Sequence, residues 1–455
     1  MSETLNFHFI AIGGIGMSGL AKYLIEMGHN VSGSDLEETK YTQKIQKIGA
    51  KVYIGHKEEQ VPDNSFVVAS TAIRETNPEI IQAKKLGLKV HHRSDILKML
   101  AQDLNKTQLF IGFSGTHGKT TTSGLASYVL AKANLSPSFV VGGYVPEIGT
   151  NAQYADGKFF VAELDESDGT IVKYSTDISV INNLEADHLD FFTNGLDTLV
   201  ETFNTHISQS KKVVINIDND GNKRLIKENS QKEFVTFGFE NADYIAKNIE
   251  LFEKGSCFDF YARDEFIAKV ELTVLGKHNI YNALAVLSAL SEAGVDVRKL
   301  ITHFKTFSGM GRRFEFIGKE NNIDFYDDYA HHPSEIKATL SSVKNSFKNR
   351  RVVAVFQPHR YTRLKGLWED FKLAFDDCDK LFVTDVFEAS EDPIEGITSE
   401  NFVKDFQDKA HWISGNMQEV ATKILPLLKE NDVVISLGAG TITHLCPEIL
   451  KLVRG

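Results

Sequence analysis

The stretch Gln108–Thr121 has the sequence QLFIGFSGTHGKTT, an apolar run followed at once by glycines, a lysine and two threonines. Gln108–Phe113 has the length and composition of a buried strand, and Thr120–Lys132 has the spacing of a helix. A glycine-rich turn between a strand and a helix presents backbone N–H groups that bind phosphate oxygens. We therefore predict a nucleotide-phosphate loop (the P-loop below) formed by Gly115, Thr116, His117, Gly118, Lys119, Thr120 and Thr121.

Two side chains make this prediction more specific than a glycine turn alone. Lys119 would reach the β- and γ-phosphates, and the Thr120 hydroxyl would bind Mg²⁺. The eight-residue P-loop pattern has a glycine where this chain has Phe113, so the loop is a shortened variant. A turn that only packs a helix on a strand needs neither the lysine nor two threonines.

The segments around the P-loop predict an α/β protein, because strand-sized apolar runs alternate with helical patterns. Strands are predicted at Phe7–Ile12, His29–Ser34, Lys51–Ile54, Phe66–Ala69, Gln108–Phe113, Phe159–Ala162, Ile178–Ile181, Lys212–Ile217, Ile323–Tyr326, Val352–Phe356, Lys380–Thr384 and Val433–Leu437. Helices are predicted at Met17–Met27, Glu79–Leu86, Asp95–Leu104, Thr120–Lys132, Asn279–Ala293, Ser334–Phe347, Leu364–Phe375 and Met417–Leu428. A few antiparallel strands are expected between Phe234 and Val274.

The length of 455 residues predicts about three domains, because single cores rarely grow beyond about 250–300 residues. We expect a Rossmann-like domain at 1–105, a central P-loop ATPase-like domain at 106–313 and a Rossmann-like domain at 314–455, each with a mostly parallel sheet. The net charge of −11 argues against a nucleic-acid binder or an anionic-membrane binder. Three separated cysteines, no leader pattern and no apolar run of about 20 residues favour a cytoplasmic protein.

A second glycine loop (the N-terminal glycine loop below) follows the first predicted strand and consists of Gly13, Gly14, Ile15, Gly16 and Met17. With Gly19 it contains G-x-G-x-x-G, and Asp35 follows the next strand, after Ser34. This pattern is the dinucleotide fingerprint, so NAD is one candidate ligand. The diphosphate of a different nucleotide would use the same loop, and a plain tight turn is the third alternative.

Acidic residues follow two strands of the middle segment. ELDESD begins at Glu163, and NLEADH ends at His188. Ligands of parallel sheets bind at the carboxyl ends of strands, so Thr120, Glu163 and His188 could bind one or two Mg²⁺ ions. Solvated loop charge, or a helix cap for the histidine, is the alternative.

Three further polar motifs occur later in the chain. Asn279 and Asn282 share one face of the predicted helix and could bind a nucleotide, although simple capping is favoured from the residues alone. Arg313 could bind a transferring phosphoryl group or form an interdomain ion pair. The segments 327–333 (DDYAHHP) and 356–363 (FQPHRYTR) place polar groups at strand ends, and a His-His zinc pair there is not favoured.

The order GGIGMSG, GTHGKTT, ELDESD, NNLEADH, GKHNIYN, GRRF and DDYAHHP resembles the Mur ligase family over essentially the whole chain. The resemblance implies a UDP-substrate domain, an ATP domain and an amino-acid domain, and it assigns the N-terminal glycine loop, with Ser34 and Asp35, to the UDP diphosphate. FQPHRYTR and GGIGMSG favour the branch that joins L-alanine to UDP-N-acetylmuramic acid. The Leu164 of ELDESD departs from the family, which more often has alanine there, without touching the assigned chemistry.

By the same resemblance, Lys119 would contact the β- and γ-phosphates, while Thr120 and Glu163 would bind one Mg²⁺ and His188 a second. Asn279 and Asn282 would contact ATP, the co-substrate. Roles in the closed site fall to residues of the third domain: Arg313 and Asp328 near the phosphoryl group, and His359 and Arg360 near the sugar acid or the amino acid.

The implied reaction activates the carboxylate of UDP-N-acetylmuramic acid as an acyl phosphate, which the alanine amine then attacks. A murein peptide ligase, an NAD-linked oxidoreductase and a non-catalytic nucleotide-gated partner protein are the alternatives. The expected partners are small molecules, with no nucleic acid and no membrane, and the protein is expected to be a monomer or homodimer.

Overall fold

The computed structural model describes residues 4–70, 73–104, 107–185, 195–252, 255–389 and 391–454. The chain divides into two compact units. Unit 1 contains residues 1–249, 258–271 and 280–307, and unit 2 contains residues 250–257, 272–279 and 308–455. The first predicted domain and most of the second therefore lie in unit 1, whereas residues 250–257, 272–279 and 308–313 of the second belong to unit 2. The domain boundaries at residues 105 and 313 stay predictions.

The first sheet of unit 1 is parallel throughout. Its strands are β1 (Asn6–Ile10), β2 (Asn30–Asp35), β3 (Lys51–Ile54), β4 (Phe66–Ala69) and β5 (Val90–His92), in the order β3-β2-β1-β4-β5. Its helices are α1 (Ile15–Glu26), α2 (Lys40–Lys47), α3 (Pro78–Lys85) and α4 (Arg93–Met99), and a π-helical turn (Leu100–Leu104) follows α4. Ile10 pairs with Ser34, so the carboxyl ends of β1 and β2 lie side by side at the N-terminal glycine loop.

The second sheet carries the P-loop. Its strands are β6 (Leu109–Ser114), β7 (Ser138–Val145), β8 (Thr150–Gln153), β9 (Phe159–Glu163), β10 (Ile178–Ile181), β11 (Lys212–Asn216), β12 (Phe234–Gly238), β13 (Tyr244–Phe252), β14 (Gly255–Ala262) and β15 (Glu265–Leu272). Their order is β15-β14-β13-β12-β11-β10-β6-β9-β7-β8. The helices are α5 (Lys119–Lys132), α6 (Leu196–Gln209), α7 (Asp220–Glu228), α8 (Lys277–Glu292) and α9 (Ile301–Phe304).

The central position of β6 places the P-loop between two other strand ends. β6 pairs in parallel with β9 and β10, with Phe113 opposite Glu163 and Ser114 opposite Ile181. Both acidic stretches predicted from the sequence therefore begin beside the P-loop. One continuous apolar core, which includes Phe9, Tyr23, Phe160 and Phe203, packs beneath the first two sheets.

The third sheet lies in unit 2. Its strands are β16 (Glu315–Glu320), β17 (Ile323–Asp328), β18 (Arg351–Phe356), β19 (Lys380–Val383), β20 (Ala410–Trp412) and β21 (Asp432–Leu437), in the order β16-β17-β21-β18-β19-β20. Only the β16–β17 pair among these described strands is antiparallel. The helices are α10 (Pro333–Ser346), α11 (Tyr361–Gly366), α12 (Trp368–Ala374), α13 (Ser399–Val403), α14 (Met417–Ile424) and α15 (Leu445–Arg454).

Every predicted strand is present, with ends shifted by up to two residues. The helix prediction for Leu364–Phe375 was wrong in one respect, since two helices meet at Leu367, whose φ of −119° is not helical. The helix predicted to Leu428 ends at Ile424, because Pro426 cannot continue the backbone hydrogen bonding, and a 3₁₀ turn follows. The helix from Lys277 stops before Gly294, whose φ is +79°, as predicted.

Two general predictions can be compared with the described residues. None of the helices in them has both the length and the apolarity needed to cross a membrane. The three separated cysteines, Cys257, Cys378 and Cys446, are all buried free thiols.

Candidate active site

The P-loop has the backbone of a phosphate-binding turn. Gly115 and Gly118 have φ of +120° and +83°, a region that side chains with a Cβ rarely adopt. A Cβ on Gly118 would also lie 2.7 Å from Asn282 Oδ1 and 3.1 Å from Asn182 Nδ2. Gly118 caps α5, so the first N–H groups of a 14-residue helix point into the loop. Both glycines are therefore needed for the shape that the sequence predicted.

Lys119 is buried and paired with a carboxylate. Its Nζ donates to Glu166 Oε1 at 2.7 Å and to the Gly115 carbonyl oxygen at 2.9 Å. Burial works against the charge of Lys119, but Glu166 and Asp165 hold its pKa above the ordinary value. Burial alone would raise the pKa of Asp165, yet Lys119 and Arg93 hold it well below its usual range. The loop lysine is thus charged and held within its own loop.

Thr120 and Glu163 lie together, as the sequence predicted for a metal site. The Thr120 hydroxyl donates to Glu163 Oε1 at 2.9 Å, and the Gly142 N–H donates to Glu163 Oε2 at 2.7 Å. A hydroxyl and a carboxylate are oxygen ligands of the kind that Mg²⁺ prefers, with phosphate and water completing its shell. The residues therefore fit one Mg²⁺. His188, predicted to bind a second ion, lies outside the described residues.

An amide network supports the other side of the P-loop. The His117 N–H donates to Asn183 Oδ1 at 2.7 Å, and Asn182 Nδ2 donates to the Thr122 hydroxyl at 2.7 Å. That hydroxyl also lies 3.0 Å from Asn282 Oδ1. Asn282 therefore lies beside the loop, whereas the Asn279 side chain donates to the Leu275 carbonyl oxygen at 2.7 Å. The contact of both residues with ATP stays a prediction.

The N-terminal glycine loop is held in a different way. The Gly13 N–H donates to Asp35 Oδ2 at 2.8 Å, so this carboxylate fixes the loop backbone. The Ser34 hydroxyl is buried and hydrogen-bonded to His56 and Glu79. Ile15 begins α1, and Met17 is buried beneath it. The N–H groups at the start of α1 remain as the predicted diphosphate ligands.

The strand ends of the third sheet form a separate polar cluster in unit 2. Asp328 is buried and accepts hydrogen bonds from the Phe314 and Ala330 N–H groups at 2.7 and 2.8 Å. Burial raises the pKa of Asp328 to about 6, against the pull of Arg313. The Arg313 guanidinium lies 5.4 Å from the centre of the Tyr329 ring.

The FQPHRYTR segment contributes to the same cluster. The His359 ring lies 5.8 Å from the ring of His331, and Arg363 is 3.2 Å from His359 Nδ1. Burial lowers the pKa of His359 to about 4, so this ring is neutral at pH 7. Arg360 has φ of +71° at the start of α11, which is a strained conformation for a residue with a Cβ.

Comparison with known proteins accounts for this arrangement. Three family models of Mur ligase domains match the chain in order. They are the catalytic domain at residues 6–104, the middle domain at 113–290 and the glutamate ligase domain at 312–440. The UDP-N-acetylmuramate–L-alanine ligase of Pelobacter propionicus is 39% identical over 443 residues, which cover 96% of this chain and 95% of that protein. The chain belongs to the Mur ligase family.

Other members support the same relationship. The Aquifex aeolicus enzyme of the same name is 38% identical, with 98% of each chain covered. The crystal structure of the UDP-N-acetylmuramate-alanine ligase MurC from Thermotoga maritima superposes with a TM-score of 0.85, at 27% identity and 99% coverage of both chains. A murein peptide ligase from Psychrobacter arcticus has the same fold, with a TM-score of 0.72 at 21% identity. The predicted three-domain Mur ligase architecture with mostly parallel sheets is confirmed.

The sequence reasoning missed Glu166, the partner of Lys119. ELDESD contains four acidic residues, and the family resemblance implies a role only for the first, Glu163. Alternate residues of an extended segment point to opposite sides, but ELDESD has acidic residues at both odd and even positions. The sequence pattern therefore does not indicate which acidic residue faces Lys119. The Asn182–Thr122 hydrogen bond was also missed, since it joins side chains 60 residues apart.

Proposed function

We propose that this protein is an ATP-dependent ligase that joins L-alanine to the carboxylate of UDP-N-acetylmuramic acid, in the synthesis of peptidoglycan precursors. The observation that carries the proposal is the placement of Lys119, Thr120 and Glu163 at one edge of the second sheet. The full-length similarity to proteins named UDP-N-acetylmuramate–L-alanine ligase supplies the substrates.

The first step transfers a phosphoryl group. A carboxylate oxygen of the sugar acid attacks the γ-phosphorus of ATP, the bond to the β-γ bridging oxygen breaks, and ADP leaves. Lys119 contacts the β- and γ-phosphates in this proposal and offsets the repulsion between two anions. The Lys119 ammonium donates to Glu166 and to the Gly115 and Thr116 carbonyl oxygens, so a phosphate contact would replace at least one of these three hydrogen bonds.

One Mg²⁺ is part of the proposal, bound by Thr120 and Glu163 together with phosphate oxygens. When bound, it would neutralise charge on the phosphates. The Gly142 N–H already fixes the Glu163 carboxylate. On metal binding, Glu163 would exchange its hydrogen bond with the Thr120 hydroxyl for a bond to the ion. His188 as the ligand of a second ion stays a prediction.

The second step forms the amide. The alanine amine attacks the acyl carbon, the carbon–oxygen bond to phosphate breaks, and inorganic phosphate leaves with one carboxylate oxygen. Arg313 and Asp328 complete the proposed catalytic set, and His359 and Arg360 belong to the sugar-acid or amino-acid site. Asn279 and Asn282 are proposed contacts of ATP.

A murein peptide ligase is the second candidate, because a protein of that activity has the same fold. Phosphate release measured with L-alanine, and separately with the tripeptide L-alanyl-γ-D-glutamyl-meso-diaminopimelate, distinguishes the two. We expect release that needs ATP, UDP-N-acetylmuramate and L-alanine together. Release that is indifferent to L-alanine, or faster with the tripeptide, would contradict the proposal.

The NAD-linked alternative has a direct test. Asp35, which would bind a ribose hydroxyl in an NAD site, accepts the Gly13 N–H instead. We expect no NADH fluorescence change on addition of the protein. We propose that the protein acts in the cytoplasm, where ATP is available. We also propose that it acts as a monomer or a homodimer.

A further inference from the structure

A cavity within unit 1 lies between α1, α4 and the residues of β7 and β9. Its lining includes Gly16 at the start of α1, Arg93 on α4, and Gly142, Glu163 and Asp165 of the second sheet. Among the described residues that line it, Arg93 is the one cation. An anion bound at the start of α1 would face the Glu163 and Asp165 carboxylates across this cavity.

Arg93 is oriented by those carboxylates and lies beside the glycine loop. Its Nη2 donates to Asp165 Oδ2 at 2.8 Å and lies 3.9 Å from Asp168 Oδ2. Its Nη1 lies 3.7 Å from the position that a Cβ on Gly16 would occupy. One edge of the guanidinium is therefore held by the acidic stretch, and its other terminal nitrogen lies close to Gly16 in the first turn of α1.

We propose that Arg93 is a substrate-binding residue whose guanidinium contacts the diphosphate of the UDP substrate at the N-terminal glycine loop. The inference rests on the proposed function for the identity of that substrate. A planar guanidinium can bind Asp165 with one edge and a phosphate with the other. Arg93 would also screen the diphosphate from Glu163 and Asp165, which otherwise repel it. Asp165 is then a positioning residue for Arg93.

The chain offers a matched control for a purely structural role. Lys173 follows β9 in the chain and also contacts α4. Its Nζ donates to Asp95 Oδ1 at 2.6 Å and to the Ser94 hydroxyl at 2.8 Å. Its side chain is 30% exposed and that of Arg93 is 36% exposed. Lys173 does not line the cavity. If Arg93 only ties the two segments together, both residues should behave alike.

The test measures the dissociation constants of UDP, UDP-N-acetylmuramate and ADP by calorimetry for the wild type, Arg93→Met and Lys173→Met. We expect Arg93→Met to weaken UDP and UDP-N-acetylmuramate by roughly 10-fold or more, the effect of losing a hydrogen bond to a charged group. ADP binding should stay within about twofold in both variants, since P-loop contacts are untouched. Lys173→Met should leave all three ligands within about twofold of the wild type, because Lys173 is outside the cavity.

Each other outcome has a distinct meaning. Equal UDP binding by Arg93→Met and the wild type, or equal losses in both variants, would overturn the inference. A loss confined to UDP-N-acetylmuramate would overturn the assignment to the diphosphate. Wild-type protein that binds UDP but not UDP-N-acetylmuramate would instead contradict the proposed function. If Arg93→Met does not fold, Arg93→Gln replaces it, because it also removes the charge, and unchanged UDP binding by that variant overturns the inference.

Discussion

The N-terminal glycine loop and the P-loop each follow a strand inside a mostly parallel sheet, yet their side chains differ. Both loops follow a strand and begin a helix, so both present N–H groups to an anion. The N-terminal glycine loop has no lysine of its own, and Asp35 fixes its backbone. The P-loop adds Lys119 and Thr120, with carboxylates opposite them. In the proposed function, the N-terminal glycine loop binds a diphosphate and the P-loop assists phosphoryl transfer.

Removing the lysine should have the largest effect. Lys119→Ala should lower kcat by at least ~10²-fold, because it removes the charge that stabilises the transferring phosphoryl group. The binding of UDP should stay within about twofold, because the N-terminal glycine loop lacks this lysine. Steady-state phosphate release and UDP calorimetry measure the two quantities. Near-normal turnover would show that the P-loop does not act on the transferring group.

Variants of the carboxylates beside the two loops should differ in how their activity depends on the Mg²⁺ concentration. Glu163→Gln should lower kcat by roughly 10-fold or more at limiting Mg²⁺, because it removes a charged metal ligand, and added Mg²⁺ should restore part of the loss. Asp35→Asn is the matched variant at the other loop, and we expect it to raise the KM for the UDP substrate without any change in Mg²⁺ dependence. The measurement is the Mg²⁺ concentration that gives half-maximal activity. An equal increase of this concentration in both variants would contradict the distinction.

The glycines themselves should show the smallest effect. Gly118→Ala should reduce the free energy of unfolding by about 1–2 kcal/mol, because φ at this position is +83° and the added Cβ would crowd Asn282. Gly14→Ala should leave it within about 0.5 kcal/mol, because φ is −63° and the nearest atom to a Cβ is 3.6 Å away. Urea denaturation measures the free energy of unfolding of both variants, provided that the dependence of this free energy on urea concentration keeps the same slope. Equal losses would mean that the two turns are strained alike.

The fold could be predicted from the sequence wherever local patterns determined it. The P-loop strand and helix have adjacent apolar and glycine signals, and they form as predicted. β7 (Ser138–Val145) was missed because Gly142 and Gly143 interrupt its apolar run, and glycine ordinarily marks a break. β5 (Val90–His92) was missed because three residues with two histidines give no periodicity.

The candidate site could be predicted only in part, for a related reason. Lys119, Thr120 and Glu163 follow directly from strand ends in a parallel sheet. The Lys119–Glu166 pair and the Arg93–Asp165 pair depend on tertiary packing between segments 47 and 72 residues apart. No spacing rule reaches across such distances, so these partners required the structure.

Oxygen labelling can show whether the carboxylate is activated by phosphoryl transfer from ATP, as proposed for the P-loop. UDP-N-acetylmuramate with both carboxylate oxygens as ¹⁸O is turned over with ATP and L-alanine, and the released phosphate is analysed by mass spectrometry. The account predicts one ¹⁸O in each phosphate, since a carboxylate oxygen leaves with it. Phosphate without label would contradict the account, because its fourth oxygen would then have come from water.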